Sequence, residues 1–157
     1  MRKLTVGLNG GKQIILRIGD ESRCGESAWI GMSTDSDIQC SVATAILRLF
    51  SGWLSCLQQL ADGSELWLPF DFADERTGWL CIRRDGRTAA VVAGTADVEG
   101  WEISLDDYGR RMPRGFRPDE PLHIQEFYLP RLLSDLRFSL QQLEQADQDS
   151  GADGFCR

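Results

Sequence analysis

Residues 77–105, TGWLCIRRDGRTAAVVAGTADVEGWEISL, carry the clearest strand pattern in the chain, and their reading decides the fold class. Asp85-Gly86 separates two runs rich in apolar and β-branched residues. A two-residue Asp-Gly loop favours the positive φ angles of a type I′ turn, whose twist matches that of paired strands. This predicts a hairpin with arms at 77–84 and 87–95. Beyond Ala96-Asp97, Trp101, Ile103 and Leu105 alternate with Glu102 and Ser104, the period of a half-buried strand. Residues 98–105 are therefore expected to complete a three-stranded antiparallel meander.

Working outward, residues 3–8 and 12–18 flank Asn9-Gly10-Gly11 and read as a first hairpin. Residues 19–25 read as a polar connection and 26–33 as a further strand. Residues 38–60 satisfy two periods at once: Ile38, Cys40, Val42, Thr44 and Ile46 alternate, whereas Val42, Ile46, Leu49, Trp53, Leu57 and Leu60 recur as on a helix. The β-branched first half favours a strand over 38–47. The Leu- and Gln-rich second half favours a helix over 49–61, with Gly63 as its left-handed cap. In 65–72, Leu66, Leu68, Phe70 and Phe72 share one face. Pro69 has no N–H for a ladder, which puts this strand at an edge or gives it a bulge.

The arm 88–94 is small and apolar on both faces, as in a strand with neighbours on both sides. Residues 122–128 are expected to form a last strand. Pro130 then suits a first helical turn, and Leu129, Leu132, Leu133, Leu136, Leu140 and Leu143 form the apolar stripe of a helix over 130–146. The acidic, Gly-containing end, 146–157, reads as a flexible tail beyond an ordered core of 1–145. The expected fold is α+β: one domain over 1–157, a mostly antiparallel twisted sheet of about six to eight strands, and helices near 49–61 and 130–146.

The chain has 157 residues, 42% of them hydrophobic, enough for one core. No apolar run approaches the ~20 residues of a membrane span, and the N-terminus has no apolar stretch of a secretory signal, so a cytoplasmic protein is expected. The five cysteines, Cys24, Cys40, Cys56, Cys81 and Cys156, form an odd set without a CxxC pair. That argues for free thiols over disulfides or a zinc site. The net charge is −7, and residues 61–109 alone hold four Lys/Arg against eleven Asp/Glu. Such a field repels nucleic acid and anionic membrane and speeds encounter with a basic partner.

No phosphate loop, dinucleotide fingerprint or HExxH run is present in the sequence, and no cofactor is implied. Asp71, Asp74 and Glu75 lack the EF-hand spacing and read as a solvated turn rather than a metal site. The single histidine, His123, has neither a Gly-rich elbow nor a flanking Asn or Asp, so a Cys-His hydrolase or transferase is the lesser reading. The arginines at 110, 111, 114 and 117 are expected to pair with the neighbouring acids rather than with RNA. Trp67, Trp79 and Trp101 lie among those acids. Aromatic anchors ringed by steering charges suit a protein-binding surface, for which the expected residues are Asp71, Asp74, Glu75, Asp97, Glu99, Trp101, Glu102, Asp106 and Asp107.

The succession LRLFSGWLSCLQQLADG, ELWLPFDF, TGWLCIRRDGR, VEGWEISLDDYG, GFRPDEPL and LPRLLSDLRFSL, spanning most of residues 35–140, resembles small bacterial immunity-type proteins found beside polymorphic or contact-dependent toxins. The resemblance implies a single-domain α+β protein without catalytic activity, which binds a cognate toxin domain and blocks it. A basic toxin is the partner that the charge favours, with the protein itself a monomer or weak homodimer. A structural or regulatory subunit that self-associates through an exposed strand edge is the remaining alternative.

Overall fold

The computed structural model describes residues 2–10, 13–32 and 41–153, with side chains through residue 149. Strands β1 (Leu4–Asn9), β2 (Gln13–Ile18) and β3 (Glu21–Glu26) form a three-stranded antiparallel sheet in sequence order. Leu4, Val6, Ile14, Leu16 and Ile18 alternate inward and are buried. Strand β3 replaces the connection expected at 19–25. Its sequence, ESRCGE, has no apolar alternation, but Gly19 at φ +60° turns the chain back in two residues, so Ile18 faces Glu21. Gly25 then lies flat on the neighbouring sheet, where a Cβ would come within 2.0 Å of the Phe70 carbonyl oxygen. Of the strand expected at 26–33, Glu26 ends β3, residue 33 lies outside the described residues, and no strand forms over 27–32. Those residues make turns in which Ile30 N–H donates to Ser27 O and Met32 N–H to Trp29 O.

Helix α1 (Val42–Gln58) takes in residues 42–47, for which the sequence favoured a strand. Ser41 caps it, accepting the Thr44 N–H at 3.2 Å. The helical period prevails because it buries Ala45, Ile46, Leu49, Phe50, Trp53 and Leu57 on one side. Residues 38–40 of the expected strand lie outside the described residues. The helix stops at Gln58 with Gln59 as its right-handed cap, so Gly63, at φ +77°, shapes the turn into the next strand instead.

Strands β4 (Glu65–Asp71), β5 (Thr77–Asp85) and β6 (Thr88–Ala96) form the meander, and β7 (Arg117–Pro118) and β8 (Gln125–Tyr128) both pair with β6. The meander thus takes its third strand from before the hairpin. Strand β4 is the edge, and its register shifts between Pro69 and Asp71, as the missing proline N–H requires. Asp85 pairs with Thr88, so the loop residues are Gly86 and Arg87 rather than Asp85 and Gly86. Gly86, at φ +59°, is the first of the two and Arg87 does not share its positive φ, giving a II′-type rather than a I′ turn. Residues 98–105 are not a strand. They form a 3-10 turn, Gly100–Glu102, followed by a bend that buries Ile103 and Leu105. Their alternation recorded burial without pairing.

Helix α2 (Leu129–Asp153) follows β8 directly, with Pro130 in its first turn. Leu129, Leu132, Leu136 and Leu140 are buried, while Leu133 and Leu143 pack partly buried against the core. The helix continues through Asp153 rather than ending near 146; residues 154–157 lie outside the described residues. No helix among the described residues is long and apolar enough to cross a membrane. The result is an α+β fold in which the described residues form eight strands split between two sheets. Packing against β1, α2 presents Ser139, whose buried hydroxyl accepts the Val6 N–H at 3.2 Å. Ser139→Ala leaves that edge N–H unpaired and is expected to cost about 1–3 kcal/mol in urea unfolding. A change within error of zero contradicts this role.

Candidate partner-binding surface

At the end of β4, the Phe72 side chain is fully buried and its N–H donates to Glu26 O at 2.8 Å. The next residues are thereby turned outward, exposing Asp74, Glu75 and Arg76. The 3-10 turn docks onto this loop through Gly100, whose N–H donates to Ala73 O at 2.8 Å. Only glycine fits there, because a Cβ would lie 2.3 Å from the Phe72 carbonyl oxygen. With Gly100 pressed inward, Trp101 is left 45% exposed beside Asp74 and Glu75. Glu102 Oε2 accepts the Glu99 N–H at 2.9 Å and an Arg114 Nη2 contact at 3.3 Å, which closes the turn.

Asp97 is the hub of the arginine loop. Its carboxylate meets Arg117 Nη2 at 2.9 Å and Arg76 Nε at 3.9 Å, and its carbonyl accepts Arg114 Nη2 and Nε at 2.8 and 3.1 Å. Two arginines of the basic loop, Arg114 and Arg117, therefore pair with the acids as the charge pattern suggested. Each exposed pair contributes only ~0–1 kcal/mol, so they fix the loop's position more than they stabilise the fold. Asp74, Glu75 and Glu99 have no cationic partner within 4.0 Å among the described residues.

The nine acidic and aromatic residues singled out in the sequence do not form one group. Asp74, Glu75, Asp97, Glu99, Trp101 and Glu102 come together around Gly100. Asp106 is ion-paired with Arg48 of α1, and Asp107 lines a groove of about 380 Å³ with Trp79, Ile103 and Met112, which shares Glu102 with the first group. Asp71 is half-buried at the junction of the two sheets, where Oδ1 accepts the Glu26 N–H at 2.8 Å. Of the three tryptophans, Trp79 is core, with its indole N–H on Thr77 Oγ1 at 2.7 Å, and Trp67 is partly buried. Arg76, Arg114 and Arg117, which hold the surface together, were not among the expected partner-binding residues. Their signal was only their proximity to the acidic segment.

His123 is exposed, with Nδ1 3.7 Å from Glu21 Oε1. Burial, with Glu65 adding to it, pushes the Cys81 thiol up to about 11, and burial also raises Cys56. A thiol held up in this way is a poor nucleophile. Cys40 and Cys156 lie outside the described residues. Among the described residues, no three or more His, Cys, Asp or Glu side chains are grouped to hold a metal ion. Comparison with family models, with curated proteins and with solved structures found no match for this chain.

Burial raises the Asp71 carboxyl above the ordinary aspartate range, and the Glu26 N–H only partly offsets this. Between the ordinary and the raised value the folded chain holds more protons than the unfolded one, so stability falls as pH rises through that window. Asp71→Asn keeps an acceptor for Glu26 and removes the titration. Wild type is expected to lose stability relative to Asp71→Asn as pH rises from the ordinary aspartate range, levelling off above the raised value. Denaturant unfolding across pH measures the difference, and a constant difference contradicts the assignment.

Proposed function

We propose that this protein is a non-enzymatic binding module of the immunity type, which neutralises a basic toxin domain by binding it through the surface around Trp101. The observation that carries the reading is a half-exposed tryptophan, fixed by the Gly100 contact and the capping box between Glu99 and Glu102, with Asp74, Glu75 and Glu99 in the adjoining segments and without a cationic partner among the described residues. A rigid aromatic costs little entropy to bury and is a common anchor of interface energy. Carboxylates near it that no cation neutralises attract a cationic surface and set the register of docking. Asp97 and Glu102, already held by arginines, shape the surface rather than steer the partner. On this reading the protein acts in the cytoplasm, and Asp71, Asp106 and Asp107 are not contact residues.

The product of the adjacent gene is the partner to test. Trp101→Ala is expected to weaken its binding at least ~30-fold by calorimetry. The triple variant Asp74→Ala, Glu75→Ala, Glu99→Ala is expected to slow association and flatten its salt dependence. Unchanged affinity in both variants, at low and high salt, counts against the reading.

A further inference from the structure

Among the described residues, three of the five edge strands, β1, β3 and β4, are covered. Along β1, Ser139 takes the Val6 N–H; along β3, Glu26 O receives the Phe72 N–H and Gly25 lies on the Phe70 backbone. Along β4, Gly109 O accepts the Trp67 N–H at 3.0 Å, and Pro69 has no N–H to cover. The remaining side of β6 carries β7, only two residues long, and β8, which is the open stretch. It pairs with β6 in the register Thr88 to Tyr128, and the Leu129 N–H continues that ladder to Arg87 O at 2.7 Å. Odd-numbered residues of β8 therefore direct their backbone groups to β6, and Glu126 and Tyr128 direct theirs away. Nothing among the described residues hydrogen-bonds to those outward N–H groups.

An open edge is normally blunted by charge, proline or a bulge, because it is a template for another strand. Here Tyr128 of β8 is 48% exposed, and Leu122 and Ile124, just before the strand, are each 56% exposed. We propose that β8 pairs antiparallel with β8 of a second copy of this chain, about a two-fold axis at Gln125, to join two five-stranded sheets into one. In that register residues 122–124, which precede β8 and do not pair with β6, extend the strand in the dimer: Leu122 faces Tyr128 twice, and Ile124 faces Glu126 twice. Centring the axis on Glu126 instead sets two carboxylates opposite each other, which is destabilising. Centring it on Ile124 sets Tyr128 against Glu120 and Leu122 against Glu126, which leaves a single Ile124–Ile124 pair in place of two Leu122–Tyr128 pairs. This surface lies at the far end of β6 from Asp97, so it stands independently of the surface around Trp101.

Sedimentation velocity on the full chain, from micromolar to hundreds of micromolar, is expected to show a concentration-dependent dimer. Glu126→Pro removes an N–H that points away from β6 and leaves the internal ladder intact. It and Leu122→Asp are each expected to raise the dimer dissociation constant at least ~10-fold with an unchanged circular dichroism spectrum. A monomer at every concentration, or a dimer that both variants leave intact, overturns the proposal. A cross-link avoids dependence on either variant's folding. At this axis the two Gln125 residues are a non-hydrogen-bonded pair with Cα atoms about 4.5 Å apart, within disulfide reach. In a background carrying Cys24→Ser, Cys40→Ser and Cys156→Ser, oxidised Gln125→Cys is expected to run as a covalent dimer on a non-reducing gel while Glu126→Cys and the background chain do not. Cross-linking of Glu126→Cys in place of Gln125→Cys overturns the register.

Discussion

Trp53 of α1 is fully buried, packs edge-on against Phe50 with ring centroids 5.0 Å apart, and donates its indole N–H to Pro69 O at 3.2 Å. That hydrogen bond ties the helix to the irregular edge of the five-stranded sheet. A buried carbonyl needs a donor, and at the edge strand beside a register shift no ladder partner supplies one. Burial of side chains such as Trp53, Phe50, Phe72 and Leu80 contributes ~1.5–3 kcal/mol each, far more than any exposed ion pair in the molecule.

The consequences run outward from this contact. The shift after Pro69 lets Asp71 reach the Glu26 N–H and sends Phe72 into the core. The loop that follows is pushed out, offering the Ala73 carbonyl on which Gly100 docks, and Gly100 in turn sets the position of Trp101. Arg76, Arg114 and Arg117 then gather around Asp97 and Glu102. The surface proposed to bind a partner is thus built by packing and trimmed by charge. Its acids are more numerous than its unpaired acids, and the unpaired ones are those expected to attract a partner.

Much of this was legible in the sequence where the pattern and the packing coincide. Both hairpins, the edge position of the Pro69 strand, the Leu stripe of α2 and the pairing of Arg114 and Arg117, though among the described residues not of Arg110 and Arg111, with acids follow from local periodicity and charge. Other features depend on partners distant in the chain. ESRCGE is a strand because β2 and Phe70 receive it, and residues 42–47 are helical because their side chains meet the core at that period. Ile103 and Leu105 alternate because two bends point them inward. Acid content marked the region of the candidate surface, but which carboxylates are neutralised is settled by contacts such as Arg48 with Asp106, fifty-eight residues apart. Glycine at position 100 was the one local sign that a turn, rather than a strand, precedes Trp101.

Hydrogen exchange by mass spectrometry, with the adjacent-gene product bound and free, tests the central claim most directly. The account predicts slowed exchange confined to residues 72–76 and 97–102, with the amides of α1 unchanged. Slowed exchange elsewhere in the chain, with those two segments unaffected, would contradict it.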